Sequence, residues 1–416
     1  MKECRYIELF AGVGGFHVGL DRADKDFFKC VMANQWEPGA KDQFAADIYR
    51  KRFPNDLLIN DDVNNIKGYD YDVDLLMGGF PCQDYSVAKS KSSSMGIEGK
   101  KGVLWWQVIR LIMEMKSKPK FLLFENVDRM LISPAKQRGR DFSLIVESLI
   151  KLGYDLEWRV INAADYGMPQ RRKRIFIFAF LHGTFDVKSA DDWLFREGVL
   201  AKAFPVKQNY ETGLWGLDSR ELEPDLVRLS NYFNKGNTVQ NPFDNGGVAL
   251  NGLVYTYKLV PDYKGHKTTL GDILVKGDDR KLITPDYYIN EFDLEQWRYL
   301  KGQKVIPRVS KDGHEYNYSE GAMPFPDPLD KPARTLITSE VSTTPSRFTH
   351  VILDPVDGRY RRLLPIELER IQMFPDNHTD GTTDKKRGFL MGNALVCGIV
   401  EKIGKELKNR IWTEDQ

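Results

Sequence analysis

Two segments of the sequence place reactive side chains at the ends of apolar runs. Gly79-Phe80-Pro81-Cys82-Gln83 follows the run Val73 to Met77, and Glu125-Asn126-Val127 follows Phe121 to Phe124. A buried cysteine is ordinarily an inert small hydrophobe. Here a Gly-Gly pair precedes Cys82, Pro81 lies against it and a polar loop follows. The thiol is thereby presented at a turn, as a nucleophile requires. The following stretch, Ser86 to Met95 (SVAKSKSSSM), is small, polar and basic, which suits a mobile lid that touches phosphate; a solvated loop has the same composition. Glu125 stands at the edge of an apolar run, where burial favours the protonated form and makes a proton donor. A capping or salt-bridged carboxylate is the plainer reading of that residue taken alone.

Strand ends are what would bring such groups together. Apolar runs at Tyr6 to Phe10, Phe28 to Ala33, Val73 to Met77, Phe121 to Phe124, Leu156 to Ile161 and Ile175 to Leu181 alternate with helical patterns. One helix is expected from Glu37, with Pro38 in its first turn, to Phe53-Pro54. Another spans Val103 to Met115, and a third carries Leu144, Ile145, Leu149 and Leu152 with Gly153 at its end. Strands spaced by helices predict a doubly wound, mostly parallel sheet, whose reactive crevice lies at the carboxyl ends of the strands. The first strand runs into Phe10-Ala11-Gly12-Val13-Gly14-Gly15, a turn that brings amides and a helix N-terminus to a ligand. His17 stands where a dinucleotide fingerprint has its third glycine, which disfavours a nicotinamide dehydrogenase. After the second strand, Asn34-Gln35-Trp36-Glu37 offers a ribose ligand and an aromatic that can stack on adenine; Asp61-Asp62 offers an acceptor for its amino group. A core tryptophan and a capping aspartate fit the same residues.

Composition narrows the class. The 416 residues are 42% hydrophobic with ordinary Gly and Pro content, so collagen-like and disordered chains are excluded. The apolar runs are too short for a membrane span and the start has no secretory pattern, so a cytoplasmic setting is expected. Cys4, Cys30, Cys82 and Cys397 are widely separated, as are the six histidines, so neither disulfides nor a metal is expected. A net charge of +1 argues at first against a polyanion. Phosphate affinity, however, counts local contacts, and basic residues cluster at 170–174 and at Arg359, Arg361 and Arg362.

FAGVGG, GGFPCQ, FENV, QRRKR and GNAL, in this order and spacing, resemble the cytosine-5 DNA methyltransferases. The resemblance covers about 1–182 and 361–416. It implies a Rossmann-like S-adenosylmethionine-dependent domain plus a smaller, irregular, β-rich target recognition domain. It places S-adenosylmethionine at Phe10, Gly12, Gly14, Gly15, Phe80, Leu104 and Asn393, with Trp36 on the adenine and Asp62 on its amino group. It makes Cys82, presented by Pro81, the nucleophile at cytosine C6, and Glu125 the group at N3. Asn126 is expected to position the Cys82 loop. Gln170, Arg172 and Arg174 match the family's Q-x-R-x-R pattern, the arginines orienting the catalytic loop, base or phosphate. Gln35 stands where the family usually has an acid, so Glu37 is the expected ribose ligand, and Tyr85 replaces a frequent phenylalanine.

The expected domains are 1–183, catalytic and cofactor-binding; 184–360, target recognition; and 361–416, returning to the first, in a bilobal monomer whose cleft holds double-stranded DNA. A tRNA cytosine-5 methyltransferase shares much of the catalytic set, but the roughly 150-residue insert favours a reader of duplex sequence. A catalytically inactive DNA-binding module would be expected to lose Cys82 or Glu125, and both are present. Arg228, Lys235, Lys258, Arg280, Arg308 and Arg347 are the candidate DNA contacts. By analogy the setting is a bacterial or phage restriction-modification system with a cognate endonuclease acting separately.

Overall fold

The computed structural model describes residues 3–80, 104–207, 218–310 and 313–414. Pro81, Cys82, Tyr85 and the Ser86 to Met95 stretch lie outside the described residues. The chain forms two compact units. The first comprises Met1–Tyr166, Lys173–Gly265 and Cys397–Gln416; the second comprises Gly167–Arg172 and His266–Val396.

One sheet organises the first unit. Its strands are β1 (Cys4–Leu9), β2 (Phe28–Asn34), β3 (Leu58–Ile59), β4 (Leu75–Gly78), β5 (Phe121–Val127), β6 (Tyr154–Asn162), β7 (Lys173–Leu181), β8 (Asp218–Glu221), β9 (Gly246–Leu250) and β10 (Leu253–Tyr257). Their order is β3-β2-β1-β4-β5-β7-β6-β9-β10-β8. Pairing is parallel from β3 across to β5 and antiparallel from β5 to β8. The parallel half is the doubly wound part; the antiparallel half widens the sheet.

Helices α1 (Gly15–Asp24), α2 (Phe44–Arg52), α3 (Leu104–Glu114) and α4 (Arg140–Lys151) follow the early strands. α3 buries one stripe, and α4 is buried all round from Asp141 to Leu149, its apolar residues sharing a core with Leu122, Phe124 and Leu156. The indole of Trp105 donates to Ser148 Oγ at 3.0 Å, pinning the two helices together inside that core. The C-terminal helix Cys397–Glu414 packs on α1, so closely that a side chain at Gly19 would collide with Val400.

Three features differ from the sequence expectation. α2 starts at Phe44 rather than Glu37, because the Gln43 side chain accepts from the Glu37 amide and donates to its carbonyl, both at 2.9 Å, closing a loop around Gly39. Residues 184–265 pack with the first unit, since β9 pairs with β6 and extends the sheet. Residues 361–396 belong to the second unit, and the return to the first begins at Cys397.

Within the second unit, β11 (Lys304–Val309) and β12 (Glu315–Glu320) form an antiparallel ribbon, and β13 (Val351–Leu353) pairs with β14 (Tyr360–Arg362). Its interior is unusually charged. Arg361, fully buried, binds both oxygens of Glu367 at 2.8 Å and Asp354 at 2.7 Å. Among the described residues no helix is long and apolar enough to cross a membrane.

Candidate active site

β1 and β4 lie side by side, and the sheet order runs outward in opposite directions from them, which opens a crevice at their carboxyl ends. Leu9, Gly78 and Phe124 stand level across β1, β4 and β5. The next residues, Phe10, Gly79 and Glu125, therefore line one rim. The apolar run ends at Phe124, but the strand runs on to Val127, because β7 keeps pairing with it, so Glu125 lies within β5 rather than past it.

The turn after β1 enters the left-handed region at Phe10 (φ 56°), Gly12 (φ 57°) and Gly14 (φ 84°). Open space surrounds the face of Gly12, whereas a side chain at Gly14 would strike Phe53. The Ala11 amide reaches Asn34 O at 2.9 Å, and the Gly14 amide reaches Ala11 O at 2.8 Å. The Gly12 amide donates to Gln35 Oε1 at 2.8 Å. Gln35 thus braces the turn, a role that spacing alone did not reveal. Gly15 opens α1 directly behind it.

Around that turn the expected cofactor residues are placed unevenly. Trp36 is 38% exposed just past β2, as a stacking surface would be, and Glu37 is half-buried on the loop held by Gln43. Asp62 Oδ1 accepts from the Asn64 amide and side chain at 3.0 and 2.7 Å, so it caps the turn Val63–Asn65. The Phe80 ring is interior, packed on Trp105 and Phe124 with centroids 5.0 and 5.9 Å away. Leu104 is half-buried at the start of α3. Asn393, exposed at the end of the helix Asp384–Asn393, belongs to the second unit.

Glu125 is not surrounded by the apolar walls its neighbours suggested. Its Oε1 pairs with Arg174 Nε at 3.0 Å, which follows from the register that sets Arg174 opposite Val127. Its other oxygen lies so close to Gly79 that a Cβ there would approach it to 3.2 Å. Asn126, buried, donates to Phe80 O at 2.8 Å and so fixes the chain just before Pro81.

The Q-x-R-x-R residues divide between the units. Gln170 is fully buried in the second, where its amide donates to Gln372 at 3.0 Å and accepts from the Leu336 amide at 3.0 Å. Arg172, also buried there, donates to Gly392 O at 3.3 Å. Only Arg174 of the three joins Glu125. The basic cluster near 360 is likewise mostly internal: Arg361 and Arg362 are buried, and Arg359 lies over the Tyr288 ring. Of the candidate DNA contacts, Arg280 grips both Asp354 oxygens at 2.9 and 3.1 Å, and Arg347 donates to the Leu300 and Gly302 carbonyls. Arg308 is exposed and stacked over Tyr318; Arg228, Lys235 and Lys258 are exposed on the first unit. Burial pushes the thiols of Cys4, Cys30 and Cys397 up, so none of these is poised as a nucleophile.

The model of the C-5 cytosine-specific DNA methylase family matches residues 4–409. The chain is similar to the type II methyltransferase M.Sau3AI of Staphylococcus aureus, 42% identical over 98% of this chain and 96% of that one. M.NgoBV of Neisseria gonorrhoeae is 30% identical over 98% and 99%. Among solved structures, S. pombe Dnmt2 methyltransferase superposes with a TM-score of 0.58 at 16% identity, covering 98% of this chain and 99% of that one. The Entamoeba histolytica methyltransferase EhMeth gives 0.57 at 16%, covering 100% of both. At that identity these last two speak for the fold alone.

Proposed function

The chain belongs to the C-5 cytosine-specific DNA methylase family and is a DNA cytosine-5 methyltransferase; from that premise we propose that it methylates a flipped-out cytosine within a specific double-stranded sequence, through a covalent bond between Cys82 and C6. The observation that carries this reading is the level alignment of the glycine turn, the Gly79 loop entry and Glu125 at the ends of β1, β4 and β5.

S-adenosylmethionine fits the turn: the face of Gly12 is open, the backbone there is left-handed, and Trp36 is exposed beside it. When bound it supplies an electrophilic methyl group on a sulfonium. The turn from Phe10 to Gly15 holds it, Trp36 stacks on the adenine and Glu37 takes the ribose. Asp62 keeps a second oxygen for the adenine amino group.

Cytosine C5 is a poor nucleophile until something adds at C6. The Cys82 thiolate adds there while a proton taken up from solvent between Glu125 and N3 absorbs the developing charge, and C5 then takes the methyl group. A base takes the C5 proton, the thiolate leaves C6, and the proton held between N3 and Glu125 is given up again, which restores the neutral ring. Arg174 holds the Glu125 carboxylate in place, and Asn126 holds the entry to the Cys82 loop. Because the thiol must reach C6, the base leaves the duplex stack. The second unit reads the sequence; the protein works as a monomer in the cytoplasm, beside a separately acting cognate endonuclease.

Labelled methyl transfer tests this. Cys82→Ala is expected to lose transfer to DNA while still binding S-adenosylmethionine; transfer at the parental rate overturns the mechanism. Labelling of tRNA and not of DNA overturns the assigned substrate.

A further inference from the structure

Behind the glycine turn, on the face of β1 and β2 that α1 and α2 cover, lies a buried cluster the methylation chemistry does not use. Tyr6 stands opposite Cys30 in the β1–β2 register, and Glu8 lies two residues on, on the same face as Tyr6. His17 comes from α1, Tyr49 from α2, and Asp56 from the segment after α2. His17 Nδ1 is 3.0 Å from Asp56 Oδ2 and 3.1 Å from the Tyr49 hydroxyl, which in turn lies 3.8 Å from Cys30 Sγ. The other ring nitrogen, Nε2, faces Asp21 Oδ2 at 3.4 Å. Three carboxylates and a thiol thus gather around one imidazole. Glu8, fully buried, has both oxygens outside hydrogen-bond geometry.

We propose that His17 Nδ1, Cys30 Sγ and Asp56 Oδ2 bind a divalent cation of the zinc type. The three atoms lie within 4.8 Å of one another. Zinc bond lengths of about 2.0–2.3 Å to N, O and S require ligand atoms roughly 3.3–3.8 Å apart, a modest adjustment. A set of one nitrogen, one thiolate and one carboxylate suits a borderline-soft ion rather than magnesium or calcium. Asp21 on Nε2 completes the arrangement in which a carboxylate fixes the tautomer of a metal-bound histidine. The Tyr49 hydroxyl donates to Asp56 Oδ2 at 3.3 Å as well as facing Nδ1 and Sγ, so it touches all three ligand atoms and would become the fourth ligand or move aside on binding. The three ligands are 13 and 26 residues apart along the chain, so no ligand spacing announces them; only the sheet brings them together.

The site would brace the cofactor turn. The His17 ring stacks on Phe53 with centroids 3.8 Å apart, and Phe53 fills the space against Gly14. A cation there ties α1, β2 and the segment after α2 together beneath the glycine loop.

The test uses the untagged full-length protein in a Cys82→Ser background, so that the nucleophile contributes no thiol. After chelator treatment and desalting, cobalt(II) is added as the spectroscopic probe, and zinc retained after gel filtration is measured by mass spectrometry. One equivalent of zinc and a thiolate-to-cobalt charge-transfer band are expected. Cys30→Ser abolishes the band, and Asp56→Asn weakens binding by about tenfold or more, while Cys4→Ser leaves both unchanged. Zinc is also expected to raise the melting temperature of the background protein. Absence of the band and of retained zinc there overturns the proposal without any further variant, leaving His17 as an imidazolium held between Asp21 and Asp56. A band that survives Cys30→Ser overturns it equally.

Discussion

Gln35 shows how one side chain can change the meaning of a position. The family usually has an acid there, so the ribose contact was expected from Glu37 and Gln35 was left without a role; its amide oxygen accepts from Gly12 at 2.8 Å, inside the turn. Removing it leaves a turn amide without its acceptor, which costs about 1–3 kcal/mol, or roughly 5- to 150-fold. Gln35→Ala is therefore expected to raise the KM for S-adenosylmethionine about tenfold with little change in kcat. Gln35→Glu keeps an acceptor in place and is expected to stay near the parent. Steady-state kinetics at saturating DNA decide it, and an unchanged KM in Gln35→Ala shows that the brace is dispensable. At this scale the sequence spoke clearly wherever a backbone demand dictates the residue, as at Gly12 and Gly14 with their left-handed φ. It was silent on side chains that reach across strands: nothing in a run of letters shows that Gln35 returns to Gly12, or that Arg174 turns Glu125 into one half of an ion pair.

Elements were legible where the pattern is local. The amphipathic stripe of α4 ends at Gly153, in the left-handed conformation (φ 86°), as the helical spacing and the terminal glycine predict. Of the short strands, β9 and β10 form a hairpin across the left-handed pair Asn251-Gly252, a local signal that the loop-like texture around it masked, whereas the pairings of β8 with β10 and of β9 with β6 join segments far apart in the chain. Their packing is nonetheless specific. Two residues of β6 grip the short helix Val199–Ala203: Glu157 accepts from the Leu200 amide at 3.0 Å near its start, and Arg159 donates to the Leu200 and Phe204 carbonyls toward its end. The charges match the helix dipole. Burial pushes the Glu157 carboxyl up to about 7, although the Leu200 amide and Arg159 pull the other way. The folded state then binds more protons than the unfolded one between the ordinary carboxyl value of 4.5 and about 7. Stability from this group is full below that window and is lost as pH rises through it. Glu157→Gln keeps an oxygen for the Leu200 amide and removes the ionisation. Relative to the parent, its melting temperature is expected to climb between about pH 5 and pH 8. A difference that stays constant over that range would show that Glu157 does not titrate with folding.

On the scale of the whole molecule, the question is where a chain with a net charge of +1 keeps the cations that meet DNA. Sequence clustering pointed to Arg361 and Arg362, and both are spent inside the second unit on carboxylates and carbonyls. Clustering along the chain measures neither burial nor pairing, which are set by contacts between distant segments. Arg280 and Arg308 make the contrast testable within one unit. Arg280 is anchored on Asp354, whose side chain is fully buried, whereas Arg308 is exposed on the β11–β12 ribbon, its guanidinium 3.9 Å from the Tyr318 centroid. A two-stranded ribbon has dimensions that a major groove admits. Arg308→Ala is therefore expected to weaken DNA binding and to reduce the slope of log K against log salt by about one, with the melting temperature nearly unchanged. Arg280→Ala is expected to do the reverse: it costs about 1–3 kcal/mol of stability, because a buried carboxylate loses a partner, and leaves the salt slope alone. Fluorescence anisotropy over a potassium chloride series, alongside thermal unfolding, separates the two. If both variants show the parental slope, Arg308 makes no phosphate contact and the ribbon is not held against DNA through it.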